Sequence, residues 1–399
     1  MVRCASLFSQ LLSIFPRSEF QLAVREHRAE RYAKGFSCWD QFVAMLFCQL
    51  AQARSLREIC QGLSCCLGKL QHLGVEDAPN KSTLSYANQH RPWLLYETVF
   101  GQLLAKCQPL GQGRKKFRFR NKLFSLDSTV IDLCISVFDW AKFRKTKGAV
   151  KLHLLLDHDG YLPTFAVITE GNVHDIRIAR NLAFPPGSIV VIDRGYVDYD
   201  LFARWTEEQV KFVTRLKDSA VYEVVDVREI PNRKGVLRDE IIQLGSEKGG
   251  DVCPYFMRRI EFHDEKTDRT LVFLTNHLEL AAATIAEIYK ERWQVELFFR
   301  AIKQNLRIKT FVGTSANAVR VQIWTALIAI LLLKYLQLRS KLGWALSNLV
   351  ALLRWNLFTY RDLWKWLDDP FETPPLGAQP EQLVFALAGV GQQEGGPRR

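Results

Sequence analysis

Residues 288–307 read IYKERWQVELFFRAIKQNLR, and this stretch decides how the rest of the chain is interpreted. Four polar residues stand in it at offsets of zero, three, seven and fourteen: Tyr289, Arg292, Glu296 and Lys303. At about 100° of rotation per residue, they project within roughly 60° of one another on a helix. The opposite side carries apolar residues suited to burial, namely Val295, Phe298, Ala301 and Ile302. The pattern predicts a half-buried helix with a carboxylate, two cations and a phenol on one ridge.

Two aspartates in strand-like surroundings accompany this helix. Asp127 lies inside the run 124–129, where a buried carboxylate is costly unless it is paired or metal-bound. Asp193 follows the apolar run 189–192, at the strand end where open sheets bind ligands. A structural cap is the commoner role for one such aspartate. Two of them together with Glu296, in a basic chain, favour a site for a hard divalent cation such as Mg²⁺ or Mn²⁺.

The spacing Tyr-x2-Arg-x3-Glu-x6-Lys matches the YREK signature, and over residues 122–307 the chain resembles the bacterial insertion-sequence transposases of the DDE type. The resemblance implies an α/β fold with a ribonuclease-H-like mixed sheet flanked by helices. An inserted β-rich domain would interrupt that core, with a helical N-terminal DNA-binding domain before it and a helical C-terminal region after it. It also implies that Asp127, Asp193 and Glu296 form the catalytic, metal-binding triad.

The resemblance further implies the reaction and the partners. Two metal ions, Mg²⁺ or Mn²⁺ in its place, would activate a water or a 3′-hydroxyl and stabilise the leaving oxygen. The enzyme would cut double-stranded DNA at the terminal inverted repeats of its element and join them to target DNA, as a homodimer on the paired ends. Two other interpretations stay open. One is a DNA-binding regulator on an inactive nuclease fold, and the other is a structure-selective nuclease without strand transfer.

The ridge of the helix is predicted to contact DNA. Arg292 and Lys303 would bind phosphates near the scissile bond, and Tyr289 would hydrogen-bond another phosphate. Ion pairs on the helix surface are the alternative for the two cations. Trp293 beside the ridge would stack on an unpaired base, unless it belongs to the core.

Basic stretches elsewhere extend the predicted DNA surface. Residues 114–122 alternate cations with aromatics, which predicts a strand with Arg118 and Arg120 on the phosphate side and two buried phenylalanines on the other. A solvated linker is the competing interpretation. A basic loop that follows adds two further predicted contacts, Lys145 and Lys147.

Charge and cysteine usage limit the partners and the compartment. The 399 residues carry a net charge of +12, which predicts a polyanionic partner. The basic residues are spread through folded segments, which favours nucleic acid over a membrane. Nine cysteines without a CxxC pair predict reduced, mostly buried thiols in the cytoplasm, and the resemblance places the protein on the bacterial nucleoid. The longest apolar run, 323–333, is too short for a bilayer span of about 20 residues and predicts a core helix.

The periodicity of the sequence divides the chain into segments. The N-terminal part has helical periods, and 218–276 alternates short β-runs with turns. The predicted boundaries are 1–110 for the helical DNA-binding domain, 111–217 for the first part of the catalytic core, 218–276 for the inserted β-rich domain, 277–310 for the second part of the core, 311–376 for the C-terminal helices and 377–399 for a disordered tail.

A helix-turn-helix is predicted within the N-terminal segment. Ser55 would cap a helix, with Glu58 closing a capping box, and a polar helix over 82–89 would follow a turn. A helical cap that contributes only packing is the alternative. Further along, in the polar run 170–175, His174 either orients a metal-bound group or stabilises the loop.

Overall fold

A computed structural model describes residues 5–31, 33, 35–66, 68–114, 116–134, 138, 140–144, 147–230, 235–245, 253–306 and 311–376. Its helices are α1 (Leu7–Leu12), α2 (Arg17–Glu26), α3 (Cys38–Leu50), α4 (Leu56–Ser64), α5 (Lys81–His90), α6 (Leu94–Gly111), α7 (Asp175–Ala179), α8 (Tyr199–Glu207), α9 (Ala282–Glu291), α10 (Trp293–Asn305), α11 (Ala316–Arg339), α12 (Leu346–Asn356) and α13 (Leu363–Asp368). Its strands are β1 (Leu123–Leu133), β2 (Lys142–Arg144), β3 (Lys147–Asp157), β4 (Leu162–Glu170), β5 (Ile189–Val191), β6 (Lys211–Arg215), β7 (Tyr222–Val227), β8 (Val236–Leu244), β9 (Met257–Asp264) and β10 (Arg269–Thr275). The tail predicted over 377–399 lies outside the described residues.

The strands form one mixed sheet, so the predicted α/β class is confirmed. Their order is β2-β3-β1-β5-β6-β10-β9-β8-β7, with β4 also paired to β3. The pairs β1–β5 and β5–β6 are parallel, and the other pairs are antiparallel. Strands β7–β10 continue the hydrogen-bonded sheet through the β6–β10 pair. The parallel strands therefore lie in the middle of the sheet, between two antiparallel parts.

The alternation of β1 assigns its residues to the two faces of the sheet. Phe124 and Leu126 pack on one face with residues of α8, whereas Leu123 packs on the other face with residues of α9. Because successive side chains of a strand point to opposite faces, Asp127 shares the α9 face with Leu123. Strand β5 is buried along its whole length, as expected for a central parallel strand.

Helix α11 is the centre of the largest hydrophobic core. It is apolar on nearly all sides, and Ser315 caps its start by accepting a hydrogen bond from the N–H of Ala318. Helices α3, α5, α6 and α12 pack around it. By length and composition α11 could cross a membrane. However, 83% of its apolar window is buried inside the protein, as expected for a core helix. The N-terminal helices therefore share one core with α11 and with the β3–β4 face of the sheet.

The local predictions for residues 55–89 and for residues 114–122 need correction. A helix-turn-helix joins its helices by three or four residues, but residues 65–80 separate α4 from α5. Ser55 does cap α4, whereas Glu58 accepts a hydrogen bond from the N–H of Arg54 and so does not close the predicted box on Ser55. A further strand was expected over 114–122, and the described residues there form bends. Without a neighbouring strand, their hydrogen-bonding groups have no ladder to join.

Candidate active site

The face of β1 that carries Asp127 lies against α9 and α10. Lys303 on α10 donates hydrogen bonds to the hydroxyl of Thr129, at 2.6 Å, and to the carbonyl of Val130, at 3.0 Å. On the same strand, Ser125 Oγ lies 2.8 Å from His158 Nε2. These contacts fix α10 along β1, and they place Asp127 between two anchored points of the strand.

One guanidinium joins two of the three predicted catalytic carboxylates. Arg292 Nη1 donates to Asp127 Oδ2 at 3.1 Å, and its Nη2 donates to Glu296 Oε1 at 2.6 Å. The helix predicted as continuous is interrupted at this residue, where the N–H of Arg292 donates to the carbonyl of Tyr289, three residues back. The tighter turn is of the 3₁₀ type. Asp127 and Glu296 are thus brought together through Arg292.

Asp193 lies at the end of the neighbouring parallel strand. Ser125 of β1 pairs with Val191 of β5, so Asp127 and Asp193 each stand two residues beyond this pair. Asp193 caps a short 3₁₀ turn, Arg194–Tyr196, and its Oδ1 accepts a hydrogen bond from the N–H of Gly195 at 2.7 Å. Its carbonyl accepts one from the Thr214 hydroxyl at 3.1 Å. The aspartate therefore has the cap of this turn as one role.

The three carboxylates act on one another electrostatically. Burial raises the pKa of Asp127 to about 7; the charge of Arg292 opposes this, and Asp193 and Glu296 push the pKa further up. Burial penalises the charged form of Asp127, and two like charges add to that penalty. Arg292 thus opposes the burial penalty without removing it, because the pKa of Asp127 stays raised, at about 7, with the guanidinium beside it.

The donor set fits a hard divalent ion, although it is not arranged as a ready-made site. Among the described residues, no group of three His, Cys, Asp or Glu side chains could hold a metal ion as it stands. The carboxylates of Asp127, Asp193 and Glu296 supply the oxygen ligands that Mg²⁺ and Mn²⁺ prefer. The guanidinium of Arg292 is bound to two of them. Carboxylates of the kind that binds such ions are present, and the positive charge of Arg292 lies between two of them.

The other predicted ridge residues have partners in the protein. The ring of Tyr289 packs on Phe273 at 5.0 Å between centroids, and the Arg292 guanidinium lies 5.7 Å from it. Trp293 is 48% exposed, which excludes the core as its place, and Arg300 lies 5.9 Å from its ring. The ridge is therefore a set of packed and paired groups with one exposed aromatic residue beside it.

The predicted basic stretches lie apart from these contacts. Arg118 and Arg120 are exposed. Phe117 and Phe119, which alternate with them in the sequence, are half-buried, and their stacked rings lie 5.0 Å apart between centroids. The alternation of sides was predicted and is present, although the strand is absent. Lys145 lies outside the described residues, and the same holds for the side chain of Lys147.

Two polar groups near the site were not recognised from the sequence. Glu291, next to Arg292, is buried; its carboxylate accepts hydrogen bonds from Lys116 at 2.5 Å and from the Tyr161 hydroxyl at 3.1 Å. Tyr196 is also buried, and the carboxylates of Asp175, Asp127 and Asp193 add to the rise that burial causes in its pKa. Tyr196 follows Asp193 by three residues, and that short spacing was the available signal.

The polar run before α7 is organised around Asp175. Its Oδ1 lies 3.3 Å from Lys151 Nζ and 3.3 Å from Nδ1 of the buried His153 on β3. Burial lowers the pKa of His153 to about 4. His174 is exposed at the start of α7 and makes no side-chain capping bond there. The histidine with a place in the interior is thus His153.

Comparison with known proteins shows which family this arrangement belongs to. A family model described as "Transposase DDE domain" matches residues 118–332, and a domain of unknown function, DUF4372, matches residues 3–76. A protein named as the transposase y4zB, of Sinorhizobium fredii, is 34% identical over 72% of this chain and 80% of its own length. A protein named as the transposase of insertion sequence element IS5377, of Geobacillus stearothermophilus, is 30% identical over 65% of this chain and 68% of its own.

A solved structure also aligns with the chain. It is a piggyBac transposase synaptic complex with hairpin DNA, with a TM-score of 0.41 and 8% identity over 88% of this chain and 79% of that one. A similarity of this size supports no structural argument. The sequence relatives alone carry the assignment.

Proposed function

The chain belongs to the DDE transposase family, and from this premise we propose that Asp127, Asp193 and Glu296 are its catalytic residues. The protein is a transposase, an enzyme that cleaves and joins DNA strands, and the family uses divalent metal ions. The observation that supports this trio is its convergence. Asp127 and Glu296 bind one guanidinium, and Asp193 ends the strand beside β1.

The residues of the site would divide the work as follows. Asp127, Asp193 and Glu296 would hold two ions, Mg²⁺ or Mn²⁺. Bound there, the ions would make a water or 3′-hydroxyl nucleophilic and stabilise the leaving oxygen. The β1–β5 pair would keep the two aspartates at one level, and the packing of α10 on β1 through Lys303 would hold Glu296 opposite them. Positioning by rigid elements is what this chemistry requires of the protein.

DNA would approach from the exposed side of α10. The exposed Trp293 and Arg300 lie there on α10. The cationic Lys303 is on the same helix, and the cationic Arg292 directly precedes this helix. We propose that Tyr289, Arg292 and Lys303 contact phosphates close to the cleaved bond, and that Trp293 stacks on an unpaired base. Arg118 and Arg120, and the loop with Lys145 and Lys147, would follow the backbone further away.

The finer architecture is also a proposal. The central strands would be a ribonuclease-H-like core in two parts, 111–217 and 277–310, with 218–276 as a β-rich insertion. Residues 1–110 would bind element ends and 311–376 would form the C-terminal helical region. Helix α5 offers an outward face for end recognition, where Tyr86 is 66% exposed and stacks on His90. The partners would be terminal inverted repeats and target DNA on the bacterial nucleoid, bound by a homodimer.

The test is a cleavage assay on a labelled element end, whose sequence the DNA flanking the reading frame should provide as inverted repeats. Asp127→Asn, Asp193→Asn and Glu296→Gln each keep shape and remove one charge. Each should abolish cleavage and joining, while a gel-shift run without divalent metal ions shows end binding nearly intact, because bound metal then makes no contribution to the DNA affinity of either protein. Mn²⁺ should restore a little activity, since it accepts imperfect oxygen ligation better than Mg²⁺.

Glu287→Gln is the matched control, because Glu287 is an exposed carboxylate on α9 outside the proposed centre. It should cleave normally. A fully active Glu296→Gln protein would overturn the assignment. Cleaved ends that are never joined to target DNA would instead indicate a nuclease without strand transfer.

A further inference from the structure

Arg292 occupies the space that joins two of the proposed metal ligands. It bonds to Asp127 Oδ2 and Glu296 Oε1, and the side chains of these three residues are 15%, 14% and 31% exposed. The ring of Tyr289 backs the guanidinium at 5.7 Å. Arg292 therefore sits in a defined position, held from both ends and from behind.

A divalent ion at this site would be bound by the same two carboxylates, each of which has one oxygen hydrogen-bonded to Arg292. A carboxylate oxygen that accepts a hydrogen bond from a guanidinium cannot approach a metal ion along that direction, and two positive charges at a few ångströms repel strongly when water is largely excluded. The ion pair and the metal are consequently competitors for Asp127 and Glu296. In the structure, Arg292 holds those groups.

A DNA phosphate offers Arg292 an alternative partner. The guanidinium fork matches the oxygens of phosphate as well as those of carboxylate. Its Nε makes no hydrogen bond in the described structure, so its binding capacity is not exhausted by Asp127 and Glu296. The neighbouring residue Trp293 is 48% exposed, whereas the Arg292 side chain is 15% exposed and its Nε is buried, so Arg292 would have to swing outward to meet a phosphate.

We propose that Arg292 is a latch that couples DNA binding to metal loading, an inference that rests on the proposed catalytic trio. Without DNA, the guanidinium bridges Asp127 and Glu296 and keeps divalent ions out. A phosphate of a bound element end draws Arg292 away and frees both carboxylates. The coupling is reciprocal, as it must be for two binding equilibria: metal ions strengthen DNA binding by the same factor. Cleavage competence then arises only on DNA.

The experiment measures Mn²⁺ binding to the full chain by the electron paramagnetic resonance signal of the free ion. Titrations are run without DNA and with a duplex carrying the element end, and the duplex alone is subtracted. In the native chain, the duplex should raise Mn²⁺ affinity by a factor in the usual range for coupled sites, roughly 5- to 150-fold. Arg292→Gln should bind Mn²⁺ roughly tenfold tighter without DNA, and the duplex should add little.

Arg339→Gln is the matched control. It removes the same charge, but Arg339 ends α11, lies 4.8 Å from the Trp364 ring and is exposed. Salt screens such a charge, so Mn²⁺ affinity should change by less than about twofold. Arg292→Lys is a second variant in case the neutral one folds poorly. Lysine keeps the charge without the planar fork that bridges two carboxylates. The Mn²⁺ affinity of Arg292→Lys should therefore lie between those of the native chain and Arg292→Gln.

Equal changes in Arg292→Gln and Arg339→Gln would overturn the latch, because general electrostatics would then explain both. So would a duplex effect that survives undiminished in Arg292→Gln. Asp127→Asn separates this from failure of the catalytic assignment. If it binds Mn²⁺ as well as the native chain, the proposed metal centre itself is wrong.

Discussion

Arg258 is fully buried and Arg292 is partly buried, and both form ion pairs with carboxylates. They differ in whether every part of the guanidinium has a hydrogen-bond partner. Arg258 is 2% exposed and grips one carboxylate with both ends of its fork, through Nε to Asp239 Oδ1 at 2.7 Å and Nη2 to Asp239 Oδ2 at 2.6 Å. Its Nη1 donates to the carbonyls of His277, Leu278 and Leu280. Every part of this guanidinium has a partner.

Arg292 is built differently. It divides its fork between two carboxylates on two elements, β1 and α10, and its Nε makes no hydrogen bond in the described structure. A fully satisfied pair has nothing to gain from moving, whereas a divided pair can exchange partners without leaving a buried charge bare. The comparison shows that Arg258 is held by a full set of hydrogen bonds, whereas Arg292 can exchange one carboxylate for another anion at a lower cost.

The largest effect should come from the saturated pair. Arg258→Met leaves Asp239 buried without a partner and should lower the free energy of unfolding by about 3–5 kcal/mol. Urea denaturation at pH 7 measures it. The double variant Arg258→Met/Asp239→Leu should recover most of the loss, because no charge then remains. If Arg258→Met costs no more than Arg292→Gln, the comparison fails.

The next largest loss of stability is expected in acid, at His277, whose carbonyl accepts a hydrogen bond from Arg258. His277 Nδ1 accepts hydrogen bonds from the N–H groups of Glu279 and Leu280 at 3.3 Å each, and burial, aided by Lys211, lowers the pKa of His277 to about 4. The unfolded chain binds this proton below about pH 6.5, so stability falls as the pH falls towards 4. The loss between pH 7 and pH 5 should be about 2 kcal/mol for each such histidine.

Urea denaturation at the two pH values tests this. His277→Asn keeps an acceptor oxygen without the titration, so its stability should fall by about 2 kcal/mol less than that of the native chain. Buried His153 and His158, whose pKa values burial also lowers to about 4, keep the remaining dependence. His90→Asn, at an exposed position on α5, serves as the control. An unchanged pH dependence in His277→Asn would contradict the assignment.

A smaller change in stability is expected at the divided pair. Arg292→Gln should cost about 1–2 kcal/mol, between the values for exposed and buried ion pairs. Its partner Glu296 is 31% exposed and can be solvated when the guanidinium is gone. Thermal unfolding beside Arg258→Met gives the ratio of the two losses. A cost near 5 kcal/mol would mean that Arg292 is as structural as Arg258.

The smallest signal is in the salt dependence of DNA binding. Arg292→Ala and Lys303→Ala should each lower the slope of log K against log salt by about one, if each contacts one phosphate. Gel-shift titrations between low and moderate salt measure the slope. Lys303 already bonds to Thr129 and Val130. An unchanged slope with a lower melting temperature would show that it only ties α10 to β1.

Local patterns in the sequence were sufficient to predict the elements that carry the trio. The strand-like run 124–129 predicted the strand that carries Asp127, and the apolar run 189–192 predicted the buried strand that precedes Asp193. The sequence did not show that Arg292 bridges two carboxylates, since Asp127 is 165 residues away from it in the chain. Lys116 and Tyr161, which donate hydrogen bonds to Glu291, are also far from it in the sequence. Such pairings depend on tertiary contacts that periodicity does not encode.

The shared core around α11 has a consequence for the synthesis of the protein. Helices α1–α6 end at Gly111, but the helix against which they bury their apolar faces runs from Ala316 to Arg339. At ordinary translation rates the ribosome needs roughly 10 to 45 s between those points, during which the N-terminal helices pack only on one another, and the apolar surface that α11 would cover is open to chaperones and proteases. We expect a reading frame that stops before residue 316 to yield no stable fragment. Decayed gene copies would then be silent, with no folded remnant to compete for element ends.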